Sequence, residues 1–124
     1  MRTIIAGSRD CKDMGILLEA IRISGIQITE VVCGMARGAD RLGLEWAKAN
    51  RIPWIEKPAD WDNYPGIAGF MRNQEMADIG EQLLLLYDGQ SHGSLDMLTR
   101  AKKKRIPIFI YNYTESYGPY QNNQ

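Results

Sequence analysis

The chain is 124 residues long, enough for one domain whose core needs neither disulfides nor a metal. Its 44% hydrophobic and 24% charged residues are those of an ordinary folded domain, which excludes a disordered or fibrous chain. Fifteen basic and fifteen acidic residues cancel, so there is no global positive field to draw the protein onto nucleic acid or an anionic membrane.

Residues 3–6 read as a short hydrophobic strand, closed by Gly7-Ser8-Arg9-Asp10. A helix is expected over 14–24, with Met14, Leu17, Leu18 and Ile21 at helical spacing and Gly25 as its stop. Residues 29–33 are rich in β-branched side chains and suit a strand covered on both faces. After a glycine-bearing turn, a second helix is expected from about 40 to 50, with Leu42, Trp46 and Ala49 on one face. Residues 53–57 form a third strand, and 58–66 a long loop carrying Asp60, Trp61, Asp62 and Tyr64. A third helix follows over about 67–79. Residues 82–87 contain an uninterrupted Leu83-Leu84-Leu85-Leu86 and read as a central strand. The turn from Asp88 to Ser94 leads into a fourth helix over about 95–105, and 106–111 is the fifth strand. Five strands alternating with four helices argue for a parallel sheet with helices on both faces.

The last residues, 112–124, lose the pattern and form either a disordered tail or a tyrosine-rich arm on a neighbouring subunit. Tyr113, Tyr117 and Tyr120 would be the anchors of such an arm. Cys11 and Cys33 sit in unlike contexts and suggest reduced thiols rather than a disulfide framework. With His92 the sole histidine, no zinc site can be assembled without carboxylates, and no metal is expected. The N-terminus does not read as a signal peptide, and the longest apolar run, 83–87, is too short to span a bilayer. A cytoplasmic protein with no membrane partner is expected.

In an open parallel sheet, ligands bind beyond the carboxyl ends of the strands. The unusual residues collect there. Gly7, Ser8 and Arg9 follow the first strand, and Gly34, Arg37, Gly38, Ala39 and Asp40 follow the second. Asp88, Gly89, Ser91, Gly93 and Ser94 follow the fourth. Glycine turns that open helices present backbone N–H groups and the positive end of a dipole, which favours a phosphate-bearing ligand. Arg37 and Arg72 can add bidentate contacts, and the serines can donate to phosphate oxygens or merely cap turns. Asp40 suits a first-turn dipole partner, and Asp88 suits either a ribose hydroxyl or an Asx turn. Trp61 and Tyr64 can stack on a base or pin the loop to the body. Lys102-Lys103-Lys104-Arg105 complements a helix C-terminus better than it marks a nucleic-acid site.

Five motifs in order carry a resemblance. They are Ile5-Ala6-Gly7-Ser8-Arg9, the run from Gly34 to Asp40, Pro58-Ala59-Asp60-Trp61, Arg72-Asn73-Gln74-Glu75-Met76, and the run from Asp88 to Ser94. Over residues 2–111 the chain resembles the SLOG superfamily, closest to its YspA/cpYpsA-related group of bacteria and their phages. The resemblance implies a Rossmann-like three-layer sandwich with a five-stranded parallel sheet in the order 3-2-1-4-5, occupying 1–111. It implies a nucleotide or nucleotide-derived ligand bound in part by Arg72 and Asn73, and a homo-oligomer.

Among the relatives are the LOG-type phosphoribohydrolases, which cleave the N-glycosidic bond of nucleotides, and the DNA-processing protein A family, which binds single-stranded DNA. Arg72 resembles the conserved arginine of the hydrolases and would be catalytic in an enzyme. Their catalytic glutamate, however, falls at Met97, and a thioether is no general base. Asp96, one residue earlier, points about 100° away around a helix. The expected function is therefore ligand binding by a sensor or sequestering protein. A nucleotide N-glycosidase comes second and a single-strand nucleic-acid binder third, disfavoured by the neutral charge.

Overall fold

A computed structural model describes residues 1–34 and 38–114. Five strands, β1 (Arg2–Gly7), β2 (Glu30–Cys33), β3 (Trp54–Glu56), β4 (Gln82–Tyr87) and β5 (Ile108–Asn112), form one sheet in the order β3-β2-β1-β4-β5. Every neighbouring pair is parallel. Four helices connect them: α1 (Met14–Ser24), α2 (Ala39–Ala49), α3 (Ala68–Ile79) and α4 (His92–Lys104). This is the expected Rossmann-like topology and strand order.

The alternation of side chains along the central strands explains the layers. Ile5, Leu84 and Leu86 point to one face, where they pack with Leu17 and Ala20 of α1 and with Leu42, Leu44 and Ala47 of α2. Ile4, Ala6, Leu83 and Leu85 point to the other, against Met76 and Ala77 of α3 and Met97 and Ala101 of α4. The leucine run is buried because both of its faces are covered, as parallel sheets require. No helix of the described residues is long and apolar enough to cross a membrane.

Several boundaries shift by one to three residues, and two of the shifts bear on the site or the tail. Helix α4 begins at His92, not near Leu95, because Ser91 is its N-cap and accepts a hydrogen bond from the Ser94 amide at 3.2 Å. Gly93 and Ser94 therefore lie inside the first helical turn. Strand β5 runs from Ile108 to Asn112 rather than over 106–111, and Tyr113 packs against the core of its own chain. The Tyr113 hydroxyl donates to Asp10, so this tyrosine is not a free anchor for a partner. Tyr117 and Tyr120 lie outside the described residues.

Both cysteines are free and buried. Burial pushes each thiol up to about 12, with Asp10 and Asp13 adding to the effect at Cys11, and Asp40 and Glu56 at Cys33.

Candidate functional site

The chain runs from β1 outward to β3 and then crosses back to place β4 on the other side of β1. The order thus reverses between β1 and β4, and their carboxyl ends diverge into a crevice. A cavity of about 350 Å³ lies there. Its floor is Ala6 and Gly7 at the end of β1, with Asp88 just past β4. Arg9 and Asp10 of the first βα loop form one wall, and Asp40, Arg72 and Asn73 another. Ser91, Gly93, Ser94 and Met97 close it from the start of α4.

Nine residues expected at the site on sequence grounds thus line one cavity: Gly7, Arg9, Asp40, Arg72, Asn73, Asp88, Ser91, Gly93 and Ser94. The others have different places. Ser8 is buried beneath the cavity and binds three turns together. Its carbonyl accepts from the amides of Cys11 at 3.2 Å and Ala39 at 3.1 Å. Its hydroxyl accepts from the Asp88 amide at 3.0 Å. Gly38 is needed for this docking. It holds φ +78°, and a Cβ on it would stand 2.4 Å from the carbonyl oxygens of Ser8 and Arg9. Ala39 is fully buried in the core behind it. Gly34 supports Arg72 through its carbonyl, while Gly89 sits in the exposed turn after β4. Arg37 lies outside the described residues.

The charges at the cavity are largely engaged. Arg72 Nη1 donates to the Gly34 carbonyl at 2.6 Å, Nε donates to Asn73 Oδ1 at 3.1 Å, and Nη1 lies 4.0 Å from Asp40 Oδ2. Asp88 Oδ1 accepts from the amides of Gln90 and Ser91, both at 2.8 Å, an Asx turn that leads into the helix. Burial opposes ionisation of Asp88, but those amides and the Ser8 hydroxyl outweigh it and hold the carboxyl below the usual carboxylate range. Asp10 accepts the Tyr113 hydroxyl. Burial, reinforced by that bond to Asp10, raises the Tyr113 phenol well above its ordinary value. Arg9 is exposed and takes part in no ion pair among the described residues.

Two features were not legible in the sequence. Asp10 joins the cavity wall, because the first loop folds over the end of β1. More telling is Ser94, whose side chain is 2% exposed and whose Oγ alone, among the buried side-chain polar atoms described, has no hydrogen-bond partner. A buried hydroxyl left unpaired costs stability, and such groups in native structures have a reason. This one faces the cavity at the helix start, where the first N–H groups also lack intrahelical acceptors.

Met97 lines the cavity, fully buried. Asp96 does not line it. Its Oδ2 is held by Arg100 Nε at 2.8 Å and Asn73 Nδ2 at 3.0 Å. No group of three or more histidines, cysteines and carboxylates able to hold a metal occurs among the described residues.

A parallel sheet in this order, with its crevice at the β1/β4 reversal, defines a Rossmann-like domain. A family model described as the YspA, cpYpsA-related SLOG family matches residues 1–64, and the chain belongs to that family. It is 33% identical over 121 residues to the Gene 61 protein of Mycobacterium phage D29, covering 89% of this chain and 95% of that protein. Its fold is similar to the X-ray structure of DNA processing protein A from Streptococcus pneumoniae, with a TM-score of 0.69 at 20% identity. That match covers 88% of this chain and 49% of the longer protein.

Proposed function

We propose that the protein binds a nucleotide or nucleotide-derived small molecule in the β1/β4 cavity and does not turn it over. The observation that carries this reading is the unpartnered, buried Ser94 hydroxyl facing the cavity at the start of α4. A phosphate oxygen there would accept from Ser94 and from the first amides of the helix, and Arg9 would close over it. The carboxylates at the cavity are held by other donors, so they do not repel an anion as free charges would. Hydrolysis is disfavoured because Met97 occupies the wall where the resembled enzymes carry a glutamate, and Asp96 is tied to Arg100 and Asn73.

The decisive experiment pairs calorimetry with a single hydroxyl deletion. Nucleoside 5′-monophosphates should bind the natural protein, and Ser94→Ala should weaken them about tenfold or more while leaving the melting midpoint equal or higher. Equal binding in Ser94→Ala would sink the assignment.

A single-stranded nucleic acid is the second reading, suggested by the name of the structural neighbour and opposed by the zero net charge. Self-association is also proposed, because Ile67, Met71 and Leu95 remain exposed beside the site and a chain this small encloses a nucleotide only in part. Two buried free thiols suit a reducing compartment such as the cytoplasm.

A further inference from the structure

We propose that a second compartment beside the polar cavity takes the base of the ligand, stacked on Trp61 and Phe70; this rests on the nucleotide reading above. The compartment has a volume of about 210 Å³ and shares Arg9, Arg72, Asn73 and Gly93 with the polar cavity. Its own walls are different in kind, with Trp61 of the long loop, Phe70 of α3 and His92 at the start of α4. One ligand can therefore pass over the shared residues with a charged end in the first compartment and a flat apolar end in the second.

The aromatic rings are left half open to solvent. Trp61 is 49% exposed and Phe70 45% exposed, so neither ring contributes its full area to the core. Gly69 is the second residue of α3. A Cβ on Gly69 would lie 3.4 Å from Trp61 Cη2 and 3.7 Å from Arg72 Nη2. The indole thus rests against the start of the helix next to the guanidinium. An indole, a phenyl ring and a guanidinium around one small recess make a stacking surface, which accepts the π-face of any base. The expected ligand class is a nucleoside 5′-monophosphate or a larger nucleotide, rather than a sugar phosphate.

Titration calorimetry with the common nucleoside 5′-monophosphates and with ribose 5-phosphate separates this proposal from the one beneath it. Trp61→Ala should weaken the best nucleotide about tenfold or more and leave ribose 5-phosphate unchanged. Trp61→Phe should recover most of the loss. Phe70→Ala gives an independent reading, and circular dichroism and the melting midpoint check that each variant is folded. If both alanine variants bind the nucleotide as the natural protein does, the base is not in this compartment and only the polar cavity stands. If neither probe binds the natural protein, both readings fall.

Discussion

Arg72 Nη1 lies 2.6 Å from the Gly34 carbonyl and joins helix α3 to the turn that follows β2, across 38 residues of chain. The side chain is only 11% exposed, so the carbonyl has this donor in place of water. Arg72→Ala should therefore lower stability by about 1–3 kcal/mol, the cost of a buried acceptor losing its partner. Arg72→Lys should recover part of that stability and little of any nucleotide affinity, since an ammonium cannot reproduce the guanidinium fork. Urea unfolding and calorimetry on the two variants measure the two effects separately.

Gly38 and Gly93 should respond oppositely to valine. A Cβ at Gly38 meets backbone carbonyls of the first loop at 2.4 Å and would have to keep φ +78°, so Gly38→Val should unfold or severely destabilise the chain. A Cβ at Gly93 meets nothing within 4 Å, although the residue lines both compartments. Gly93→Val should fold, with a modest loss from the β-branched side chain in a helix, and should block ligand. Melting midpoints and nucleotide binding for the pair decide the matter.

The contrast between these glycines shows what a linear reading can and cannot reach. The sheet was legible because Leu83 to Leu86 and the β-branched run before Gly34 carry burial in their side chains, and because Gly25 stops a helix by a local rule. The edge holding the cavity followed from strand order. What stayed hidden depends on residues distant in the chain. Gly38 reads as a phosphate-loop glycine until the Ser8 and Arg9 carbonyls are seen against it. Ser8 reads as a phosphate donor until its hydroxyl is found holding the Asp88 amide. Gly93 and Ser94 read as a turn because the strength of the Ser91 cap is not visible in composition. Trp61 was already a stacking candidate, but its meeting with Phe70 and His92 around one recess depends on segments distant in the chain.

The thiols give a prediction about pH. Cys11 and Cys33 are held protonated in the fold up to about 12, whereas in the unfolded chain they ionise near 8.5. The folded state thus binds protons that the unfolded state releases. Their contribution is complete below about pH 8.5 and is lost progressively as pH rises toward 12. The urea midpoint should fall between pH 8 and 10, and Cys11→Ala with Cys33→Ala should flatten that decline. A thiol reagent at pH 8 should react with neither cysteine in the native protein and with both once urea is added.

Self-association has a specific surface to test. Ile67, Met71 and Leu95 are large, apolar and exposed, and none of them lines the compartments assigned to ligand. Static light scattering at micromolar concentrations should give a multiple of the 14.1 kDa chain mass. Ile67→Glu should return the monomer mass without altering the circular dichroism spectrum. A monomer in the natural protein would show that the exposed residues are not a contact between copies.

The remaining question is whether a bound nucleotide is left intact. Cleavage of an N-glycosidic bond builds positive charge on the sugar, and a carboxylate beside it is the usual means of lowering that barrier. At the corresponding wall this chain has Met97, and its neighbour Asp96 is already bonded to Arg100 at 2.8 Å and Asn73 at 3.0 Å. Contacts to phosphate that are equal in ground and transition states give affinity but no acceleration. Incubation with nucleoside 5′-monophosphates should therefore release no free base above the uncatalysed rate, while the same samples show binding. Met97→Glu would bring a carboxylate to the cavity wall without disturbing the Asp96 pair, at the cost of burying a charge among apolar neighbours. Trace base release in that variant, absent from the natural protein and from Met97→Gln, would show that only the carboxylate was missing. Steady release by the natural protein, lost in Arg72→Ala, would instead establish an enzyme and overturn the binding reading.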